Sequence, residues 1–441
     1  MTTLLERAKG SALEVVIDCH SPPNTITPLL PHARRIKRLK LPLNYWSQIV
    51  TLSQLISGPL PLLRTLKISV NESDGPHGQP NTPAAPSPLL FDGAVNLEKF
   101  VFEPDSAGSL NNFVFPNLTT FKLSAIAMTD FNASDLFDFL RTSSTLQTVE
   151  VMIDWDVVLE DVPRELVVLP NVKTFSLYAN GSIQQAYKPA LHISCPHATH
   201  TSLEQRIFDN HMSYGVEAFP NPVSSKAIFN QYSTGPVEEV TLEIGSYLSL
   251  VLKIYSLVFK SSDAAVIRLD VGLEESGGEV EELHMSHQEM NLEIFTQACR
   301  TIQSHPLLSH VKRLHIQDRS YYFGPDYGMS VAYVAWELLG SLGPLDVLTI
   351  RGLDLRMLFR EAGFAGRVFP PVKELTILDE RMFDRNLCVD VIVDLMALAE
   401  SQYKLERPFE RVTIYAMDVP AVMAERLRKW VGEVECYKTW I

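Results

Sequence analysis

The sequence predicts an α/β fold, a solenoid whose curved parallel sheet carries helices and irregular loops on its outside. Three observations predict it. Residues 369–378, FPPVKELTIL, read as a short strand. Val372, Leu375 and Ile377 are apolar at i, i+3 and i+5, so Leu375 and Ile377 share one face while Glu374 and Thr376 take the other. The same skeleton then recurs in twelve copies, whose first apolar residues are Ile36, Leu63, Leu97, Leu118, Leu146, Val172, Val237, Val266, Val311, Leu345, Val372 and Phe409. Their spacing runs from 21 to 65 residues, and repetition on that scale is the signature of a solenoid. Lastly, amphipathic stretches fall between copies, and strand–helix–strand alternation implies parallel strands joined by crossovers.

In chain order, residues 13–18, LEVVID, form the opening strand. After the Ile36 strand, residues 44–57 place Trp46, Ile49, Val50, Leu52, Leu55 and Ile56 largely on one helical face, and Gly58 and Pro59 stop the helix. Residues 71–88 hold five prolines in eighteen positions and no apolar period, which makes them a surface loop. Four copies follow between Leu97 and Leu177, with a helix at 134–141. The span 178–236 breaks the rhythm and reads either as an insertion or as a pair of degenerate repeats. Residues 272–290 carry six glutamates and read as an exposed acidic loop. Helices are expected at 292–304, 331–342, 389–404 and 421–431. The last has Pro420 at its start and Gly432 past its end, the usual asymmetry of helix termini. Residues 420–441 then form a capping helix and strand. A solenoid needs no internal boundary, so residues 1–441 are expected to make one body.

Composition narrows the function. The 441 residues are 46% hydrophobic and 20% charged, as in a folded soluble protein, and the formal charge of −14 disfavours nucleic acid or an anionic membrane as partner. Cys19, Cys195, Cys299, Cys388 and Cys436 are odd in number, scattered and without a CxxC pair, which fits a reducing compartment. The start MTTLLERAKG has no signal-peptide core, and the most apolar later run, 247–259, is broken by Lys253 and too short to span a bilayer. The expected location is cytoplasmic or nuclear, which leaves the sequons at Asn71, Asn117, Asn132 and Asn180 unused.

The segments LPLLRTLKI, FPNLTTFKL, CPHATHTSL, GPVEEVTLEI, LSHVKRLHI, SLGPLDVLTI and FPPVKELTI together resemble the leucine-rich-repeat-like region of the F-box-associated families of mushroom-forming fungi. The resemblance covers nearly the whole chain. It implies a recognition surface for a protein partner and a part in substrate selection for ubiquitination. No F-box helices precede Leu4, so docking to a Skp-type adaptor is not carried over.

Candidate chemistry is sparse. His192, Cys195, His197 and His200 offer four donors within nine residues, but structural zinc sites combine two separated ligand pairs and this run lacks the second, so no metal is expected. His284 and His287 beside Glu281 and Glu282 read as a hydrated face. There is no GxSxG elbow, phosphate loop or GxGxxG, hence no catalytic residue and no cofactor are expected. The alternative is a small-molecule-binding or hydrolytic protein using 178–236.

The strand skeleton itself offers more. Residues two and four past each marker face outward, and in the first four copies they are Arg38 and Lys40, Thr65 and Lys67, Lys99 and Val101, and Thr120 and Lys122. Five of these eight are basic and none acidic, whereas later copies place Glu150, Glu239, Asp270 and Glu374 there. Arg38, Lys40, Lys67, Lys99 and Lys122 are therefore the candidate partner-binding residues, expected to steer an acidic protein partner.

Overall fold

The computed structural model describes residues 10–17, 27–43, 46–56, 58–70, 89–104, 110–125, 133–154, 165–180, 188–208, 231–232, 237–248, 251–261, 266–274, 296, 299, 303, 310–318, 325–352, 358–359, 369–378, 385–416 and 419–438. The predicted loop 71–88 lies outside them, as does the acidic loop beyond Glu274 with His284 and His287. The fold is α/β with a large, mainly parallel sheet. The chain divides into two compact units, residues 1–205 with 230–232 and residues 206–229 with 233–441.

In the first unit the strands are β1 (Leu13–Val16), β2 (Ile36–Leu43), β3 (Thr65–Val70), β4 (Lys99–Pro104), β5 (Thr120–Ala125), β6 (Thr148–Asp154), β8 (Thr174–Asn180) and residues 200–205 of β10 (His200–Phe208), side by side in that order. Every pair from β1 to β8 is parallel. A separate short parallel pair joins β7 (Val167–Val168) to β9 (Ile193–Ser194). Among the described residues the helices are α1 (Trp46–Leu55), α2 (Ala133–Thr142) and α3 (Lys188–Leu191), with 3-10 turns at Thr27–Arg35 and Leu110–Asn112.

The repeat owes its regularity to a turn that leads into each strand. In Phe115-Pro116-Asn117-Leu118 the Leu118 N–H bonds the Phe115 carbonyl at 3.3 Å, and the next two N–H groups, of Thr119 and Thr120, both bond the Glu98 carbonyl of the preceding repeat at 2.9 Å. The same turn closes at Leu97, Leu146 and Val172. Side chains add a clamp. Asn96 donates to the Pro61 carbonyl at 2.9 Å, Asn117 to Val95 at 2.8 Å and Asn171 to Ser144 at 2.9 Å. Where a repeat has no asparagine, Thr145 takes the position and bonds the Pro116 carbonyl at 3.2 Å. Each donor thus sits one residue before its marker and reaches the carbonyl two residues before the previous marker.

Beyond the turn, strand alternation sends Leu66, Phe100, Phe121, Val149 and Phe175 to a fully buried face. Burying a side chain of this size contributes roughly 1.5–3 kcal/mol. The helix α2 covers part of this face, with the Phe139 ring 4.6 Å from Phe121 and 6.1 Å from Phe100.

The second unit orders its strands β13 (Val266–Glu274), β12 (Val251–Ser261), β11 (Val237–Leu248), β14 (Arg313–Asp318), β15 (Leu345–Arg351), β16 (Val372–Leu378), β17 (Arg411–Ala416) and β18 (Glu433–Lys438). From β11 through β14 to β18 the pairs are parallel, but β12 is antiparallel to both β11 and β13. The Val237 and Val266 strands are therefore not neighbours, and the expected succession of parallel strands joined by crossovers is broken here. The reason is linker length. Only residues 249–250 separate β11 from β12, whereas a parallel return needs a crossover of about a dozen residues. What reads in the sequence as one apolar run, 247–259, is largely the returning arm of this hairpin.

Elsewhere the second unit keeps strand–helix–strand order with α4 (Pro325–Ser341), α5 (Arg385–Lys404) and α6 (Ala421–Leu427). Of the helix expected at 292–304, residues 296, 299 and 303 are described and are helical. Trp336 of α4 stacks on Phe369 at 5.5 Å, ahead of β16. Gly432 leads into β18 where a Cβ would lie 2.7 Å from the Glu410 carbonyl oxygen, too close for any other residue. Among the described residues no helix is long and apolar enough to cross a membrane.

Candidate interaction face

The second face of the first unit's sheet, opposite the buried one, carries the side chains that project at positions two and four past each marker. Strand register fixes them in rows. Arg38, Thr65, Lys99, Thr120, Thr148 and Thr174 form one row, and Lys40, Lys67, Val101, Lys122, Glu150 and Ser176 the next. Neighbours in a row are about 4.8 Å apart, the spacing of paired strands. All five candidate basic residues therefore share one face.

They do not form a field of bare like charges. Arg38 pairs with Glu14 at 3.1 Å, Lys67 with Glu103 at 2.7 Å, and Lys122 with Glu150. Ser69 also donates to Glu103, at 2.6 Å. Among the described residues Lys40 and Lys99 form no ion pair. The sequence reading of positions two and four overlooked Glu103, six past its marker, and Glu14, on the opening strand. Such exposed pairs contribute little to stability, typically below about 1 kcal/mol. They leave Lys40 and Lys99 as the two of the five candidate cations that have no ion pair among the described residues.

The His/Cys run has a different explanation from metal chemistry. Cys195-Pro196-His197-Ala198 repeats the turn Phe115-Pro116-Asn117-Leu118, with the Ala198 N–H on the Cys195 carbonyl at 3.0 Å. The N–H groups of Thr199 and His200 then share the Lys173 carbonyl, at 2.8 and 3.0 Å, as each regular repeat does with its predecessor. Residues 195–208 are thus a degenerate repeat, which decides between the two readings of 178–236 for this part of it.

The repeat position dictates where each side chain goes. Cys195 occupies the core place of Phe115 and is fully buried, and burial pushes its thiol far above the ordinary range. His197 and His200 are exposed, while His192 lies edge-on to Phe137 at 6.3 Å and is held below the usual imidazole range by burial. A thiol held protonated in the core is a poor nucleophile at neutral pH. Among the described residues no three His, Cys, Asp or Glu side chains could hold a metal ion.

The second unit carries its own charged row at the position two past the marker. Glu239 accepts from Lys260 and from Arg313 at 3.1 Å, with His315 Nε2 3.9 Å away. Burial alone would raise the Glu239 carboxyl, but the Lys260 hydrogen bond and the surrounding cations outweigh it and hold the group below its ordinary value. Further along, Arg411 lies between Glu374 at 4.0 Å and Glu433 at 3.0 Å. Glu239 and Glu374 were legible from the skeleton, and Arg313 and Arg411 hold the same position in their repeats. The next position four past the marker runs Thr241, His315, Thr349, Thr376 and Thr413, ending at Glu435. No family model matches this sequence, and no curated protein matches it.

Proposed function

We propose that this chain is a non-catalytic protein-recognition module, a leucine-rich-repeat-like solenoid whose partner lies across the strands on the face bearing Arg38, Lys40, Lys67, Lys99 and Lys122. The observation that carries the reading is the register-locked row structure of that face. A broad array of mostly polar side chains at fixed spacing suits an extended macromolecular ligand better than a small molecule, which needs an enclosed and mostly apolar pocket. With Lys40 and Lys99 uncompensated, an acidic protein segment is the complementary partner. Joined to an F-box module on the same or another chain, such a face would select substrates for ubiquitination. The buried Cys195 thiol does not favour a hydrolytic role for 178–236.

The test is binding to an array of immobilised extended peptides of varied charge. Acidic peptides should dominate the bound set, with association slowing as salt rises. The double variant Lys40→Glu, Lys99→Glu should lose them at an unchanged melting temperature. Equal binding by this variant, or a bound set with no acidic bias, would overturn the reading.

A further inference from the structure

The strand β18 ends the order of the second unit's sheet, and among the described residues no strand pairs with its outer edge. Its inner edge is fixed by the Glu433 N–H, which bonds the Glu410 carbonyl at 2.8 Å, and by parallel register with β17 from Arg411↔Glu433 to Ala416↔Lys438. Backbone groups alternate in direction along a strand. Those of Glu433, Glu435 and Tyr437 consequently face β17, and the N–H and C=O groups of Val434, Cys436 and Lys438 face outward. An open edge of this kind is a template for one more strand.

The side chains state what that strand must carry. On one face the sheet arrives at β18 with charges in strict alternation, Glu374, Arg411, Glu433, so the next place in the row calls for a cation. The row beside it ends on Glu435. Its carboxylate accepts from Thr413 Oγ1 at 3.4 Å and from the Tyr437 hydroxyl at 3.3 Å; Arg411, paired with Glu433, reaches it only through its field, and among the described residues no cation forms an ion pair with it. The third row ends on Tyr437, stacked on Tyr415 at 5.2 Å and half exposed, a surface for another ring. On the opposite face Val434 is buried while Cys436 is exposed, leaving an apolar step for small apolar side chains.

We propose that β18 is a strand-addition site for an extended segment of alternating character, with basic residues opposite Glu433 and Glu435, an aromatic residue opposite Tyr437, and small apolar residues between. A second copy of this chain is the poorer match. Pairing β18 with itself antiparallel about Val434 would set Glu433 of each copy against Glu435 of the other, and like charges directly opposite are destabilising. The overall charge of −14 steers a basic segment inward rather than away. This site is independent of the lysine face of the first unit and takes the opposite charge.

The probe is a fluorescent, end-capped peptide Lys-Val-Lys-Val-Tyr, compared with Glu-Val-Glu-Val-Tyr and with a scrambled sequence by anisotropy and by amide hydrogen exchange. Binding of the basic peptide should slow exchange at Val434, Cys436 and Lys438. Two variants separate fold from site. Cys436→Pro deletes an outward N–H that the β17 ladder does not use, and proline is tolerated on edge strands, so the protein should still melt cooperatively yet lose the peptide. Glu435→Lys should weaken the basic peptide by about fivefold and favour the acidic one. Unchanged binding by a folded Cys436→Pro variant, no preference for the basic over the acidic or scrambled peptide, protection confined to other residues, or self-association through β18 in place of peptide binding would each overturn the proposal.

Discussion

Asn117 donates its side-chain amide to the Val95 carbonyl, 2.8 Å away and one repeat earlier in the chain. The bond ties two strands together ahead of the point where their own ladder begins. Replacing Asn117 with Ala should lower stability by about 1 kcal/mol, the usual net value of such a bond. Asn117→Asp should cost more, because a carboxylate cannot donate and would face a carbonyl oxygen. Urea denaturation of the two variants checks this, and equal midpoints for Asn117→Asp and the native protein would show that the clamp carries no energy.

Adjacent residues of β16 should respond oppositely to the same substitution. Leu375 is 1% exposed and Thr376 projects from the other face between Thr349 and Thr413. An unpaired carboxylate at Leu375 costs several kcal/mol, of the order of a domain's whole stability. Leu375→Asp should therefore unfold or aggregate the protein, whereas Thr376→Asp should move the melting temperature little. Scanning calorimetry distinguishes them, and similar melting temperatures would mean that the strand register is wrong.

That contrast was readable in the sequence because the skeleton has a period of two and a repeating apolar core, and every one of the twelve markers leads into a strand. Two things were not readable in the same way. The strand β12 pairs within a hairpin, and its segment VLKIYSLVFKS shows a long apolar stretch without the spaced leucines of a repeat. In β10 the repeat had decayed. Thr201 stands where Phe121 and Phe175 stand in theirs, and Ala198 where Leu118 does, so the segment lost the large apolar residues by which a repeat is recognised. The basic residues could be placed on one face from alternation alone, but their partners Glu14 and Glu103 depended on which strands lie side by side.

Acid should destabilise the second unit through Glu239. Its carboxyl is held below the ordinary Glu value of 4.5 in the folded chain. A group lowered on folding contributes stability that is fully present above its unfolded value and is lost as pH falls through the folded one. Native protein should therefore lose stability on acidification below pH 4.5 more steeply than Glu239→Gln, which has no proton to take up. Parallel slopes for the two proteins across that range would rule out a contribution from this cluster.

Thiol chemistry should separate the cysteines by position. Burial pushes Cys195 and Cys299 far up, whereas Cys436 is exposed and raised by partial burial with some relief from Arg428. A maleimide added to native protein should label Cys436, identified by peptide mass mapping, and leave Cys195 and Cys299 unlabelled until denaturant is added. Rapid native labelling of Cys195 would contradict its place in the core, and loss of thermal stability in Cys195→Ser would show how much that place is worth.

In the turns that lead into β4, β5, β6 and β8, the N–H groups just past the marker and the side chain just before it reach back to the repeat immediately before, at the same two carbonyl positions each time. Nothing in that rule refers to how many repeats precede or follow. A duplicated stretch running from one marker to the next would arrive with its donors already aligned to the right acceptors, and its outward residues would continue the existing rows. The outward face can thus lengthen or shorten in whole steps by gain or loss of a gene segment, while each surviving contact stays as it was.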